Sequence, residues 1–372
     1  KEAGMSWDES MQADYDAAME SLQSSTDSYN SSKGTSLSTK GYLQLIYGKL
    51  VNMSTYQKLV KNAILAQHYV NDYQDSLTYT ADQLDSEYAA NPNNYDYVNY
   101  EMISISGKAA STTDADGNTV QATDEEQAAA KETAKATAEE ILAAYNSGKS
   151  LESIAGNYEK ATYYNTTDAT YYDGVVGNWL FDDARKDGDT EILEVGTNYY
   201  VGLFHSRGRE EYKTVDIRHI LITPETGTKA QGDEGYEDEQ THLQAAARTK
   251  AEDILAQWKS GEATEDSFAQ LAMENSADGS KYDGGLYTRV TKGWAVEEFN
   301  DWCFDASRKD GDTGIVDTTY GSHVMYFVGY DLPAWAASVT SDLQEKAASE
   351  WSTALSENAD VQQSDFGMKF VG

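Results

Sequence analysis

The chain has a single cysteine, Cys303, in 372 residues, so no intramolecular disulfide can form. Its position between Trp302 and Phe304 marks it as a small buried hydrophobe. No run of 18 or more apolar residues occurs, which excludes a membrane-spanning helix. Cations are scarce. With 28 Lys and Arg against 63 Asp and Glu the formal charge is −35, which opposes approach to nucleic-acid phosphates or an anionic membrane surface. Walker and dinucleotide-binding loops are missing, as is a Gly-x-Ser-x-Gly elbow. His68, His205 and His242 lack metal-ligand spacing. The stretch "DADGNTVQATDEE" sets Asp114, Asp116, Asn118 and Glu125 at positions like those of a calcium loop. Thr119 stands where that loop needs Gly, so a solvated acidic loop is expected.

What is present is enough apolar material for real cores: 40% hydrophobic residues, including 27 Tyr, 8 Phe and 7 Trp. The length suggests two or three domains. The hexapeptide "RKDGDT" occurs at 185–190 and again at 308–313. Outward from it, "NWLFDDARKDGDTEILEVGTNYYVGLF" (178–204) aligns without a gap on "DWCFDASRKDGDTGIVDTTYGSHVMYF" (301–327). Upstream, "AEEILAAYNSGKS" answers "AEDILAQWKSGEA", and "VNYEMISI" (98–105) answers "VDIRHILI" (215–222). Two units of about 110 residues are a duplication of whole domains, since solenoid repeats are shorter.

Each unit reads as a strand, a long polar loop, a helix ending near "SG", a short helix, an irregular stretch, a helix and two strands. The first strand shows period two, with Val215, Ile217, His219 and Leu221 on one face. The long helix shows Ala247, Ala251, Ile254, Leu255 and Trp258 at helical spacing. This order predicts small α+β domains with a mixed or antiparallel sheet. Residues 1–95 read as all-helical, broken by a polar Ser/Thr/Asn-rich stretch at 24–41. After Pro333 comes one amphipathic helix, roughly 334–358, carrying Trp335, Val339, Leu343, Ala347, Trp351 and Leu355. Its apolar face needs a partner, for which the N-terminal helices are the candidates.

The repeats agree in scaffold residues and differ in polar ones. His219 falls against Met102, and His323 falls against Tyr200. Asp278, in "ENSADGSKYDGGLY", has no clear counterpart. The motifs "RHIL", "FAQLAMENSADGS…GGLY", "KGWAVEEFNDWCF" and "GDTGIVDTTYGSHVMYF" resemble, in order, those of the parvulin family of peptidyl-prolyl isomerases. The whole chain resembles the exported foldases and chaperones of the PrsA and SurA type.

The resemblance implies an α+β fold of two tandem parvulin-like domains, each a four-stranded, mostly antiparallel sheet with helices, inserted in an all-helical domain made of both chain ends. The expected division is 1–95 (helical, chaperone-like), 96–211 (degenerate parvulin-like), 212–331 (isomerase domain) and 332–372 (a C-terminal helix packing on the N-terminal domain). It implies His219, His323 and Asp278 as catalytic residues. Leu286 and Phe299 are implied as walls of the proline pocket, with Thr318 and Tyr320 beside the second His and Leu221 also facing substrate. Two departures stand out: the family's GGDLG reads "GGLY", and the Met that often precedes the pocket Phe is Ala295.

No bond is broken in prolyl isomerisation, so no metal or other cofactor is expected. The implied partners are unfolded or partly folded exported polypeptides, and nucleic acid is not among them. An extracytoplasmic location follows from the same resemblance, with a lipid anchor ahead of Lys1 as part of the expectation. The sequence does not give the oligomeric state. The loop after the first strand of the second unit, 223–240, holds one Lys against six acids, which predicts no preference for phosphorylated substrates. Two other readings compete: a catalytically inactive holdase, and an adhesion or cell-wall scaffold that recruits partners.

Overall fold

A computed structural model describes residues 5–357. The opening tetrapeptide and the last fifteen residues of the expected C-terminal segment, 358–372, lie outside the described residues. The chain divides into two compact units. Of the described residues, one comprises 5–80, 213–332 and 340–357; the other comprises 81–212 and 333–339.

The first unit opens with helices α1 (Glu9–Lys33), α2 (Thr39–Tyr47) and α3 (Met53–Ser76). Each begins on a side-chain cap: Asp8, Ser38 and Asn52 accept from the backbone N–H groups of Met11, Gly41 and Thr55. The structure corrects one expectation here. The break expected over 24–41 is narrower, 34–38, because α1 runs through the first part of that stretch to Lys33 and stops at Gly34, which adopts the left-handed conformation at φ 63°. Thr26 is buried, and its hydroxyl donates to the Leu22 carbonyl at 2.9 Å, so polar groups that would compete with the helix are satisfied within it.

The second unit runs through α4 (Ala81–Ala90), β1 (Asp96–Ile105), the small hairpin β2 (Thr112–Thr113) and β3 (Thr119–Val120), α5 (Asp124–Asn146), α6 (Leu151–Ala155), β4 (Ala161–Ala169), α7 (Val175–Leu180), β5 (Thr190–Val195) and β6 (Asn198–Arg209). The first unit resumes with β7 (Lys213–Ile222), α8 (Tyr236–Ser260), α9 (Glu265–Asn275), β8 (Leu286–Val290), α10 (Glu297–Cys303), β9 (Thr313–Thr318) and β10 (Gly321–Pro333). A last helix, α11 (Ala334–Glu357), closes the described chain. Its Trp351 stacks on Tyr73 with ring centroids 4.3 Å apart and lies 5.1 Å from Tyr69, both on α3. Among the described residues no helix is long and apolar enough to cross a membrane.

The two repeats form sheets of identical topology, β4-β1-β6-β5 and β8-β7-β10-β9. The stretch read as irregular in each repeat holds an edge strand, β4 or β8. Each sheet is covered on one face by two helices and on the other by one short helix. In the second sheet Ile220 and Ile222 pack against α8 and α9, whereas Val215 and Ile217 pack with Phe299, Trp302 and Cys303 of α10. The period-two pattern of β7 thus separates a structural face from the face that carries His219.

A shared backbone device reinforces the duplication. Register slips just after Val98 in one sheet and just after Val215 in the other. Opposite each slip stands a non-glycine residue at φ 52°, Asp168 or Arg289. Its N–H is held by the next side chain along, Asn99 (2.9 Å) or Asp216 (2.7 Å). The same bulge with the same anchor recurs although the strands that carry it share little sequence.

The acidic loop at 114–118, expected to be solvated and not a calcium site, is the turn of the β2–β3 hairpin. Asp114 spends one carboxylate oxygen on the N–H groups of Asp116 (3.0 Å) and Asn118 (2.8 Å), which is a turn-stabilising role.

Candidate active site

Strands β7 and β10 are neighbours, and each delivers one imidazole to the same point on the α10 face. His219 and His323 are 3% and 6% exposed, and their Nδ1 atoms are 3.1 Å apart. His219 Nε2 lies 3.2 Å from Asp278 Oδ1. Asp278 reaches this position because the chain after α9 is pinned to β7: Ala277 N–H donates to the Leu221 carbonyl (2.9 Å), and Ser276 Oγ accepts from Leu221 N–H (3.1 Å). Asp278 Oδ1 also accepts from the N–H and hydroxyl of Ser280 and from the Tyr287 hydroxyl (3.0 Å). The hydrogen bond from His219, followed by those from Ser280, holds the Asp278 carboxyl far below the usual carboxylate range against its partial burial.

Thr318 Oγ1 accepts from Tyr320 N–H (3.1 Å), lies 2.9 Å from His323 Nε2 and has the Gly321 carbonyl as a second partner at 3.5 Å. The 3.1 Å nitrogen–nitrogen contact holds one proton, so both imidazoles cannot be cations together. For His323, burial and then the neighbouring His219 lower the pKa to about 4, which keeps this ring neutral at neutral pH.

Stability should follow this shift. The unfolded chain takes a proton on His323 near the ordinary pKa of about 6.5, whereas the folded protein does so near 4, so acid favours unfolding across that window. The urea midpoint is expected to fall as pH drops from about 6.5 to about 4, and a His323→Gln variant to lose most of that slope. Equal slopes in the two proteins would contradict the assignment.

Over the polar floor lies a hollow of about 540 Å³ lined by His219, Leu221, Asp278, Tyr287, Trp294, Ala295, Val296, Phe299, Tyr320 and His323. Phe299 meets both imidazoles edge to face, with centroids 5.5 Å from His219 and 5.3 Å from His323. Of the residues singled out from sequence, His219, His323, Asp278, Phe299, Tyr320 and Leu221 are thus brought together. Thr318 is buried behind His323 and acts on it rather than facing the hollow.

Leu286 is a correction. It pairs with Arg218, on the α8–α9 side of the strand, while the next residue, Tyr287, pairs with Ile217 and lines the hollow. The shortened "GGLY" carries Tyr where the wall residue is needed, and alternation turns Leu286 to the other face. Ser280 and Trp294 were also missed. The alternation of "GGLYTRV" against β7 was the available signal for Tyr287; Trp294 sits in a turn that no period reveals.

The first repeat keeps a hollow in the equivalent place, about 390 Å³, lined by Tyr100, Met102, Tyr164, Tyr172, Tyr200 and others. Met102 and Tyr200 stand where the second repeat has its histidines, so this hollow has walls and no imidazole floor. Cys303 is fully buried, and burial pushes its thiol up to about 12, which removes it from any chemistry at neutral pH.

Part of the chain is similar to known proteins. Residues 201–328, about a third of the chain, match the PPIC-type PPIase domain family. The foldase protein PrsA 1 of Listeria innocua is 28% identical over 142 residues, covering 37% of this chain and 39% of that protein. The chain therefore spans about two fifths of the length of the curated relative it matches. Among solved structures, PrsA from Bacillus subtilis is 22% identical over 42% of this chain and 54% of its own, with a TM-score of 0.27. A structure from a study of two SurA-like chaperones of Campylobacter jejuni is 14% identical, covers 83% of this chain and 74% of its own, and has a TM-score of 0.23.

Proposed function

We propose that the second repeat, a parvulin-type peptidyl-prolyl isomerase domain by its family match, catalyses cis–trans exchange of X–Pro bonds in unfolded or partly folded exported polypeptides. The observation that carries this reading is the convergence of His219, His323 and Asp278 under an apolar hollow closed by Phe299. Rotation about a prolyl amide loses resonance and faces a barrier of about 18–20 kcal/mol. A site lowers it by fitting the twisted amide better than either planar form.

Phe299, Ala295 and Val296 offer a dry crevice for the pyrrolidine ring. The preceding carbonyl then swings over the imidazole floor, whose orientation is fixed before substrate arrives. Asp278 and Thr318 hold the two rings from opposite ends of the network, so little reorganisation accompanies the twist. No bond breaks, and the floor acts through dipoles and hydrogen bonds alone.

A foldase acting on exported chains, hence an extracytoplasmic one, fits the PrsA relative. The apolar side chains that α2, α3 and the loop between them leave in solvent support client binding: Leu45, Ile46, Tyr47, Leu50 and Leu59 are each more than half exposed. We read the two sheet units as tandem domains set in a helical domain drawn from both chain ends, on the strength of the matching sheet orders and the Trp351–Tyr73 stack.

The test is a prolyl isomerisation assay on Ser–Pro and phosphoserine–Pro peptides. Turnover of the first is expected to exceed that of the second by about threefold or more, since Glu225, Asp233 and Glu234 crowd the loop after β7. A rate equal to buffer with both peptides, alongside intact suppression of client aggregation, would replace the isomerase by a holdase.

A further inference from the structure

Between Asp27 and Asp72 the chain carries Lys33, Lys40, Lys49, Lys58 and Lys61 and no carboxylate, although it holds 63 Asp and Glu elsewhere. This stretch covers the end of α1, all of α2 and most of α3, and its five lysines are exposed. Lys61 is taken up by aromatic rings, its Nζ lying 5.2 Å from the Trp7 centroid and 4.8 Å from that of Tyr15. Lys33, Lys40, Lys49 and Lys58 make no ion pair among the described residues. In so acidic a chain, unpaired cations gathered in one stretch are a segregation of charge.

The same stretch leaves apolar side chains in water. Tyr42, Leu43, Leu45, Ile46 and Tyr47 spread over more than half the circumference of α2, a wider stripe than one neighbouring helix covers. Only Leu43 of these is buried, and Tyr42 meets Tyr29 of α1 with centroids 5.6 Å apart. Leu45, Ile46, Tyr47, Leu50 and Leu59 remain 52–65% exposed. The corner that carries them is held in shape. Gln44 Nε2 donates to the Lys49 and Val51 carbonyls, both at 3.1 Å, and Val51 N–H donates to the Gly48 carbonyl at 3.2 Å. Tyr47 reaches α3: burial, then this neighbour, raises the Tyr56 phenol above its ordinary pKa. Leu59 follows Tyr56 three residues on, on the same side of α3. The apolar surface therefore runs from the end of α2 across the loop onto α3. Lys40, two turns before Tyr47 on α2, borders it, as do Lys49 and Lys58, the chain neighbours of Leu50 and Leu59.

We propose that this corner selects unfolded segments in which apolar residues are flanked by carboxylates. This rests on the client-binding reading of the same surface. Apolar contact supplies affinity without regard to order of residues, and the unpaired ammonium groups choose the sign of charge beside it. Elsewhere the excess of carboxylates repels an acidic segment, so the field steers it to the one stretch that lacks them.

Proline-free labelled peptides with one apolar core, flanked by Glu, Gln or Lys, keep the imidazole hollow out of the readout. Their Kd is measured by fluorescence anisotropy on the full chain in three forms, each with its fold checked by thermal unfolding: wild type, a triple variant (Lys40→Gln, Lys49→Gln, Lys58→Gln) and a double variant (Leu45→Ser, Leu50→Ser). At about 0.05 M salt the Glu-flanked peptide is expected to bind wild type about tenfold more tightly than the Gln-flanked one, and at about 0.5 M less than about twofold, because exposed charges are screened. The Lys variant should lose that ratio while binding the Gln-flanked peptide as wild type does. The Leu variant should weaken both.

A wild-type ratio near one, a ratio that survives in the Lys variant, or tightest binding of the Lys-flanked peptide with loss in the Leu variant would overturn the charge selection and leave client binding at this corner intact. Unchanged affinities in the Leu variant would remove the client-binding reading of the corner, and the proposal with it. Cosedimentation with phosphatidylglycerol vesicles that depends on the same lysines, without peptide binding, would assign the corner to a membrane surface instead.

Discussion

His219→Met should lower kcat/KM for X–Pro isomerisation by about 100-fold or more while leaving the fold in place. The substitution writes into the second repeat the residue that the first repeat carries in the same register, Met102, which is itself buried and lines the equivalent hollow. It removes the link between Asp278 and His323, so the carboxylate loses the partner that most favours its ionised form, and the His323 ring loses its hydrogen-bond partner. The walls made by Phe299, Val296 and Ala295 stay. A 100-fold loss corresponds to about 2.7 kcal/mol of transition-state stabilisation, since each 1.36 kcal/mol is tenfold in rate. Asp278→Asn should lose less, about tenfold, because the amide keeps the shape and surrenders the charge that orients His219. A His219→Met protein with near-wild-type turnover would mean that the apolar hollow alone does the work.

Gly285→Ala should destabilise the second sheet by about 3 kcal/mol, the other large effect. Gly285 adopts φ 76°, where a side chain adds about 1–2 kcal/mol of backbone strain. A Cβ there would also sit 2.3 Å from the His219 carbonyl oxygen and 3.1 Å from Ala272 Cβ. The residue cannot retreat easily, since its carbonyl accepts from His219 N–H at 2.9 Å and its own N–H donates to Ser280 at 2.8 Å. Overpacking of this kind adds about 1–3 kcal/mol. Gly293→Ala provides the comparison, with the same φ of 76° and nothing within 4 Å of the added carbon. Thermal unfolding should show Gly285→Ala lower in Tm by several degrees more than Gly293→Ala. Because the clash falls on the backbone of His219, Gly285→Ala should also reduce turnover. Equal Tm losses would show that strain and not crowding governs this strand edge.

The duplication was legible because long gapless matches survive in the sequence, and the histidines were legible because they break that match at two points facing each other across neighbouring strands. What the sequence hid was local geometry. The edge strands β4 and β8 carry mixed polar residues and no clean alternation, so nothing in them signals pairing. Leu286 and Tyr287 are adjacent and both apolar, and a one-residue shortening decides which of them faces the hollow. The bulges opposite Asp168 and Arg289 arise from left-handed non-glycine residues held by a neighbouring side chain, a device that composition does not reveal. The Ser/Thr-rich part of α1 misled in the opposite sense, because hydroxyls that favour turns in isolation are absorbed by carbonyls one helical turn back.

The most direct measurement is two-dimensional exchange NMR on a Phe–Pro peptide with substoichiometric protein, at a temperature where the free peptide shows no exchange within the mixing time. With wild-type protein, cross peaks between the cis and trans proline signals are expected. With His219→Met, whose fold is verified by its own spectrum, they should vanish. Exchange of equal intensity with both proteins would contradict an imidazole floor as the source of catalysis.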